Sequence, residues 1–233
     1  MAFDVYVGTF TRFYRRDWEN AVQRQARIDG ASYKMIYAGG EPLPPPPAEE
    51  VQQAVAAWQN AISQGLAANG GNPVTWSESL DKPYFTDRPG WPGYSGLLLW
   101  AAYAEDGAKP PHTLPEVWAE DPVFLRVMQN EANLHFRVIL QANLWLPGDF
   151  YFCFKFPDLT GKETMIASCA GLLEQLRELN AKPLAWSSPS LVQRFKPRDS
   201  FVPFEEAAMV GMRVFTELAQ HAVSNNLPIM LSF

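Results

Sequence analysis

A chain of 233 residues that is 47% hydrophobic, 19% charged and 13% aromatic has the apolar content of a folded protein, which excludes a disordered chain. Its formal net charge of −6 argues against a nucleic-acid partner, because a phosphate polymer is repelled in bulk. No apolar run approaches the ~18 residues needed for a helical membrane span.

The opening reads as a strand. Phe3, Val5 and Val7 share one parity and Asp4, Tyr6 and Gly8 the other, the period-2 pattern of a half-buried strand with Val5 and Val7 inward and Asp4 on the other face. Asp17 precedes residues 18–28, which read as a helix with Asp17 as its N-cap. Gly30 ends that helix, and residues 32–38 read as a second strand. Near 42–47, Pro42-Leu43-Pro44-Pro45-Pro46-Pro47 predicts an extended polyproline loop inside a single domain spanning 1–233.

Residues 48–69 follow as a helix whose apolar stripe is Val51, Val55, Trp58, Ile62 and Leu66. Proline-rich loops flank a nearly all-apolar helix over 94–103, and Asp121-Pro122 starts another. Residues 142–147 and 150–156 read as a hairpin turning at Gly148-Asp149, with Phe150, Phe152, Phe154 and Phe156 facing one core. Thr160 and Glu163 match a capping box, predicting a helix to Asn180 with Ile166, Leu172, Leu173, Leu176 and Leu179 inward. A long helix over 204–224 buries Phe204, Ala208, Met212, Phe215, Ala219 and Val223, and residues 229–233 form a last strand. Strands and helices do not alternate regularly. The expected class is therefore α+β, a mixed and mostly antiparallel sheet with helices packed against it; a doubly wound α/β sheet is the alternative.

Few residues carry recognisable chemistry. Cys153 with His135 is the one cysteine–histidine pair that neighbouring strands could bring together, but a buried thiol and an unrelated histidine are the plainer account. The histidines His112, His135 and His221 have no metal-ligand spacing, and Gly39-Gly40 and Gly70-Gly71 lack phosphate-cradle spacing. No metal and no cofactor are expected. The absence of a basic-then-apolar leader and the two unpaired cysteines, Cys153 and Cys169, suggest the cytoplasm.

Charge is distributed unevenly. Residues 1–40 carry net +2 and residues 132–233 net 0, while residues 41–131 hold twelve acids against four bases, net −8. That third also holds Trp58, Trp76, Trp91, Trp100 and Trp118. Exposed aromatics among acids suit contact with a basic protein. The candidate contact residues are Trp76, Glu78, Asp81, Asp87, Trp91, Glu105 and Asp106.

Asp4-Val5-Tyr6-Val7-Gly8, Thr11-Arg12-Phe13-Tyr14 and Asp17-Trp18, with Leu144-Trp145-Leu146-Pro147, Asp149-Phe150 and Leu176 to Asn180, resemble a bacterial protein family that has no assigned activity. The resemblance implies a bacterial cytosolic protein and carries no catalytic residue. In size and acidity the chain is also similar to immunity proteins, which neutralise toxins of neighbouring cells. The expected function is an immunity-like protein that binds a basic partner, a toxin in its most concrete form, with catalytic activity left open. A hydrolase of unknown substrate and a homo-oligomeric structural protein are the alternatives.

Overall fold

The computed structural model describes residues 3–32, 44–68, 71–130, 133–181 and 202–232. The fold is α+β. Among the described residues, six strands form one sheet in the order β2-β1-β6-β3-β5-β4: β1 (Asp4–Val7), β2 (Phe85–Asp87), β3 (Leu144–Leu146), β4 (Phe154–Pro157), β5 (Glu163–Ser168) and β6 (Ile229–Ser232). Only β3 and β5 run parallel; the other neighbours are antiparallel.

Helices cover both faces, so strand parity divides the core in two. Val5, Val7, Trp145, Ala167 and Ile229 face α4 (Gly90–Asp106), α5 (Pro122–Met128), α6 (Arg137–Leu140), α7 (Cys169–Ala181) and α8 (Phe204–Asn225). Tyr6, Leu144, Leu146, Ile166 and Met230 face α1 (Phe10–Tyr14) and α3 (Ala48–Ala68). Between β1 and α3 runs the short α2 (Ala21–Ile28).

Val5 and Val7 lie in the core on one face, as their alternation predicts. Asp4 is nevertheless buried, because both faces of β1 are covered. Its carboxylate accepts two hydrogen bonds from Arg88, at 2.9 Å from Nε and 2.8 Å from Nη2. A paired guanidinium is what makes a buried carboxylate tolerable.

The apolar stripe of α3 is buried at all five predicted positions. In α8, Phe204, Ala208, Met212, Phe215 and Ala219 are buried, while Val223 is 44% exposed near the helix end. Helices α4 and α8 make the most extensive contact between two elements. They meet at glycines: a Cβ on Gly96 would sit 2.6 Å from Ala208 N, and one on Gly211 would sit 2.1 Å from Gly93 O.

Three expectations are corrected. Asp17 is not a helix cap. Residues 10–14 are already helical behind an N-cap at Thr9, and Arg16 turns the chain with φ 57°. The cap of α2 is Asn20, whose side chain accepts from Val22 N and Gln23 N while Gln23 reaches back to Asn20 N. Asn-x-x-Gln supplies both halves of a capping box, which Asp17 cannot do at its spacing.

The Thr160 capping box is also not formed. Asp158 Oδ1 instead accepts from Thr160 N, Thr160 Oγ1 and Lys162 N, closing a turn with Gly161 at φ 82°. The hairpin is therefore β4–β5, not 142–147 with 150–156, and helix α7 starts at Cys169. β3 lies between β6 and β5, so Gly148-Asp149 is a passage out of the sheet and not a turn within it. Residues 33–43, which hold most of the expected second strand, lie outside the described residues, as do 182–201.

Burial pushes Tyr14 and Tyr94 up to about 12, with the Asp158 carboxylate adding to the effect at Tyr14. The ordinary phenol value is about 10, so the shared stabilisation is complete below pH ~10 and is lost as pH rises toward 12. Urea midpoints should hold between pH 7 and 9 and fall between about 10 and 12, and Tyr94→Phe should remove part of that fall. A flat profile to pH 12 would show that these rings are solvated.

Candidate functional site: an acidic, aromatic face

The expected contact residues separate once folded. Glu78 is built into the structure: its carboxylate accepts from Phe10 N at 3.2 Å, Thr11 N at 2.7 Å, Thr11 Oγ1 at 2.7 Å and Trp76 Nε1 at 2.6 Å. It holds the start of α1 and fixes the Trp76 ring. Trp76 is buried, between Phe10 and Trp58 at centroid distances of 5.6 and 6.2 Å. Reading it as an exposed anchor is therefore corrected: its ring completes the aromatic packing beneath the sheet. Asp81 is exposed in a turn, 3.4 Å from Ser79 Oγ.

Asp87 accepts from Arg88 N at 2.8 Å and faces Arg213 at 3.4 Å. At the far end of α4, about 24 Å of helix from its start, Asp106 holds Arg126 in a two-bond fork at 2.7 Å each. That arginine lowers the Asp106 carboxyl below its ordinary range, chiefly through the hydrogen bonds. Glu105 accepts from Phe136 N. Most of the named acids thus serve neighbouring elements, and the seven residues do not converge on one patch.

One part of the same third does gather at the surface. Trp91, 38% exposed, packs against Phe3 at 5.2 Å and Tyr94 at 6.3 Å. Tyr94 meets Trp118 at 6.4 Å, and Trp118 meets Phe124 edge-on at 5.2 Å. Val117 at 53% and Leu125 at 47% exposure flank this run of rings. Glu116 and Glu120 are exposed beside it, and neither joins an ion pair among the described residues. The rings are positioned by α4, by the 3₁₀ turn Trp118–Glu120 and by α5, whose N-cap Asp121 accepts from Val123 N and Phe124 N. Tyr103 Oη donates to the same carboxylate at 3.0 Å, tying that cap to α4.

Glu116, Val117, Trp118, Glu120 and Leu125 were not singled out as contact residues from the sequence. The signal available was the sequence Glu116-Val117-Trp118-Ala119-Glu120, two acids around an apolar pair in a proline-flanked loop.

The cysteine and histidine candidates are not arranged as a nucleophile and its base. His135 Nε2 lies 2.8 Å from Glu178 Oε2, so its partner is a carboxylate and not a thiol. Burial pushes the Cys153 thiol up to about 11, against a small opposing pull from Arg137. Burial raises Cys169 further. A nucleophilic cysteine needs the opposite shift. Cys153 should therefore react with iodoacetamide at pH 8 at least about tenfold more slowly than a free thiol of pKa ~8.5. Alkylation at the free-thiol rate, read by mass spectrometry, would contradict this.

Among the described residues, no three His, Cys, Asp or Glu side chains gather as a metal site. No described helix is long and apolar enough to cross a membrane. No family model, curated protein or solved structure matches the chain.

Proposed function

We propose that this chain is a protein-binding protein that neutralises a positively charged partner, in the manner of an immunity protein acting on a toxin. Its contact face is the one carrying Trp91, Tyr94, Val117, Trp118, Phe124 and Leu125 with Glu116 and Glu120. One observation carries the reading: a continuous run of packed rings, half-buried at Tyr94, Trp118 and Phe124, comes to the surface at Trp91 in the most acidic third of the chain, beside acids that have no ion-pair partner among the described residues. Aromatic anchors supply most of the affinity at protein interfaces, while unpaired charge at the rim selects the partner and speeds encounter. The chain's size and net charge of −6, shared in kind with immunity proteins, support the same reading.

The test is co-expression of this chain with the product of each adjacent reading frame. The expected result is a complex that survives purification with a basic neighbour and protects cells from that neighbour's toxicity. Glu116→Lys with Glu120→Lys should weaken the complex, and Asp81→Lys should not. Failure of every basic neighbour to bind, or equal binding by both variants, would overturn the proposal.

A further inference from the structure

A second site lies at β4, an edge strand of the sheet among the described residues. A cleft of about 430 Å³ opens there between α3 and β4, lined by Ile62, Leu66, Phe152, Phe154 and Phe156, with Gly65 on the helix side and Lys155 on the strand side. Gly65 sits inside the 21-residue helix α3, where glycine is unfavourable relative to alanine. A Cβ there would meet nothing within 4 Å, so the glycine leaves room rather than avoiding a clash.

The strand presents its main chain to this space. Asp158 N donates to Lys162 O at 2.8 Å, which closes the β4–β5 hairpin. Antiparallel pairs alternate between bonded and non-bonded, so Phe156 and Phe154 are bonded to Thr164 and Ile166, while Lys155 and Pro157 turn their main-chain groups outward. Two contacts agree. Met165 O, opposite Lys155, is taken from the other side by Asn143 N at 2.9 Å, and the outward Pro157 O accepts from Trp58 Nε1 at 2.7 Å. Among the described residues, no hydrogen bond reaches the outward N–H and C=O of Lys155.

We infer that this edge binds a short extended peptide of pattern apolar–acidic–apolar, added antiparallel to β4. The central residue exchanges both main-chain bonds with Lys155, and its side chain falls on the Lys155 side of the sheet. There the ammonium, 65% exposed and held only by a long, exposed ion pair to Glu163 Oε1 at 3.7 Å, can take a second carboxylate. The two flanking side chains point the other way, over the phenylalanine rings and into the space beside Gly65. Pro157, with no N–H and its carbonyl occupied, confines the added strand to a few residues. A second copy of this chain is the weaker occupant, because an edge-to-edge pair centred on Lys155 sets two ammonium groups side by side.

The test is fluorescence polarisation with labelled peptides of sequence Ser-Thr-Phe-Glu-Val-Thr-Ser and the same peptide with lysine for glutamate. The glutamate peptide should bind at about 100 µM or tighter, and the lysine peptide at least about tenfold more weakly. Lys155→Glu should reverse that order. N-methylation of the central peptide nitrogen should abolish binding. Gly65→Leu, which favours helix and fills the cleft, should weaken binding by about tenfold with the circular dichroism spectrum unchanged. No saturable binding by the glutamate peptide, binding indifferent to N-methylation and to Gly65→Leu, or a dimer that the peptide dissociates would each overturn the inference.

Discussion

Glu78→Ala should lower stability by about 4 kcal/mol, a large loss for a change at a partly exposed carboxylate. The reason is the number of donors it serves. Two main-chain N–H groups at the start of α1, the Thr11 hydroxyl and the Trp76 indole all end on this carboxylate. Hydrogen bonds to a charged acceptor are each worth about 1.5–3 kcal/mol, and water can restore only those donors it can reach. Trp76 is buried, so its N–H would be stranded. Glu78→Gln keeps an acceptor oxygen and should cost less. Asp81→Ala, three residues on in an exposed turn, should stay within about 0.5 kcal/mol. Urea midpoints of the three variants decide this. Equal midpoints for Glu78→Ala and Asp81→Ala would return Glu78 to the role of a solvated surface acid.

Gly211→Ala should be more damaging than a single methyl suggests, at about 3 kcal/mol or more. The added Cβ would stand 2.1 Å from the Gly93 carbonyl oxygen, where only movement of α4 against α8 can relieve the clash. That movement opens the largest helix–helix contact in the molecule. The same change at Gly65, where nothing lies within 4 Å, should raise stability by about 0.5–1 kcal/mol through helix propensity alone. Opposite signs for one substitution in two helices, read from thermal midpoints, is the expected outcome. A gain at both positions would mean that propensity and not close approach sets the outcome.

Helices were the most legible part of the chain. The stripe from Val51 to Leu66 and the face from Phe204 to Ala219 follow from spacing, since each helix buries one side against a layer. The sheet was less legible because pairing is a property of distant segments. Thr160 and Glu163 match a capping box, yet a place between β3 and β4 was available to residues 163–168, and Asp158 with Gly161 supplied the turn. Period-2 reading also assumed one buried face for β1; with helices on both sides, Asp4 is buried as well, and only the distant Arg88 makes that stable. At the candidate site, a net −8 marks out one third of the chain but does not pick residues within it. Counting acids cannot tell Glu78, which holds a helix start, or Asp106, which holds Arg126, from Glu116 and Glu120, which remain in solvent.

The proposed contact surface is the acidic, aromatic face. Its most direct test is the association rate with the basic product of a neighbouring reading frame, measured by stopped flow from low to high salt. Exposed charge is screened beyond about 8 Å at physiological ionic strength, so the rate should fall steeply with salt while dissociation changes little. Glu116→Lys with Glu120→Lys should flatten the salt dependence, and Trp118→Ala should speed dissociation by about tenfold or more. An association rate indifferent to salt, with dissociation unmoved by Trp118→Ala, would contradict the account and place the interface elsewhere.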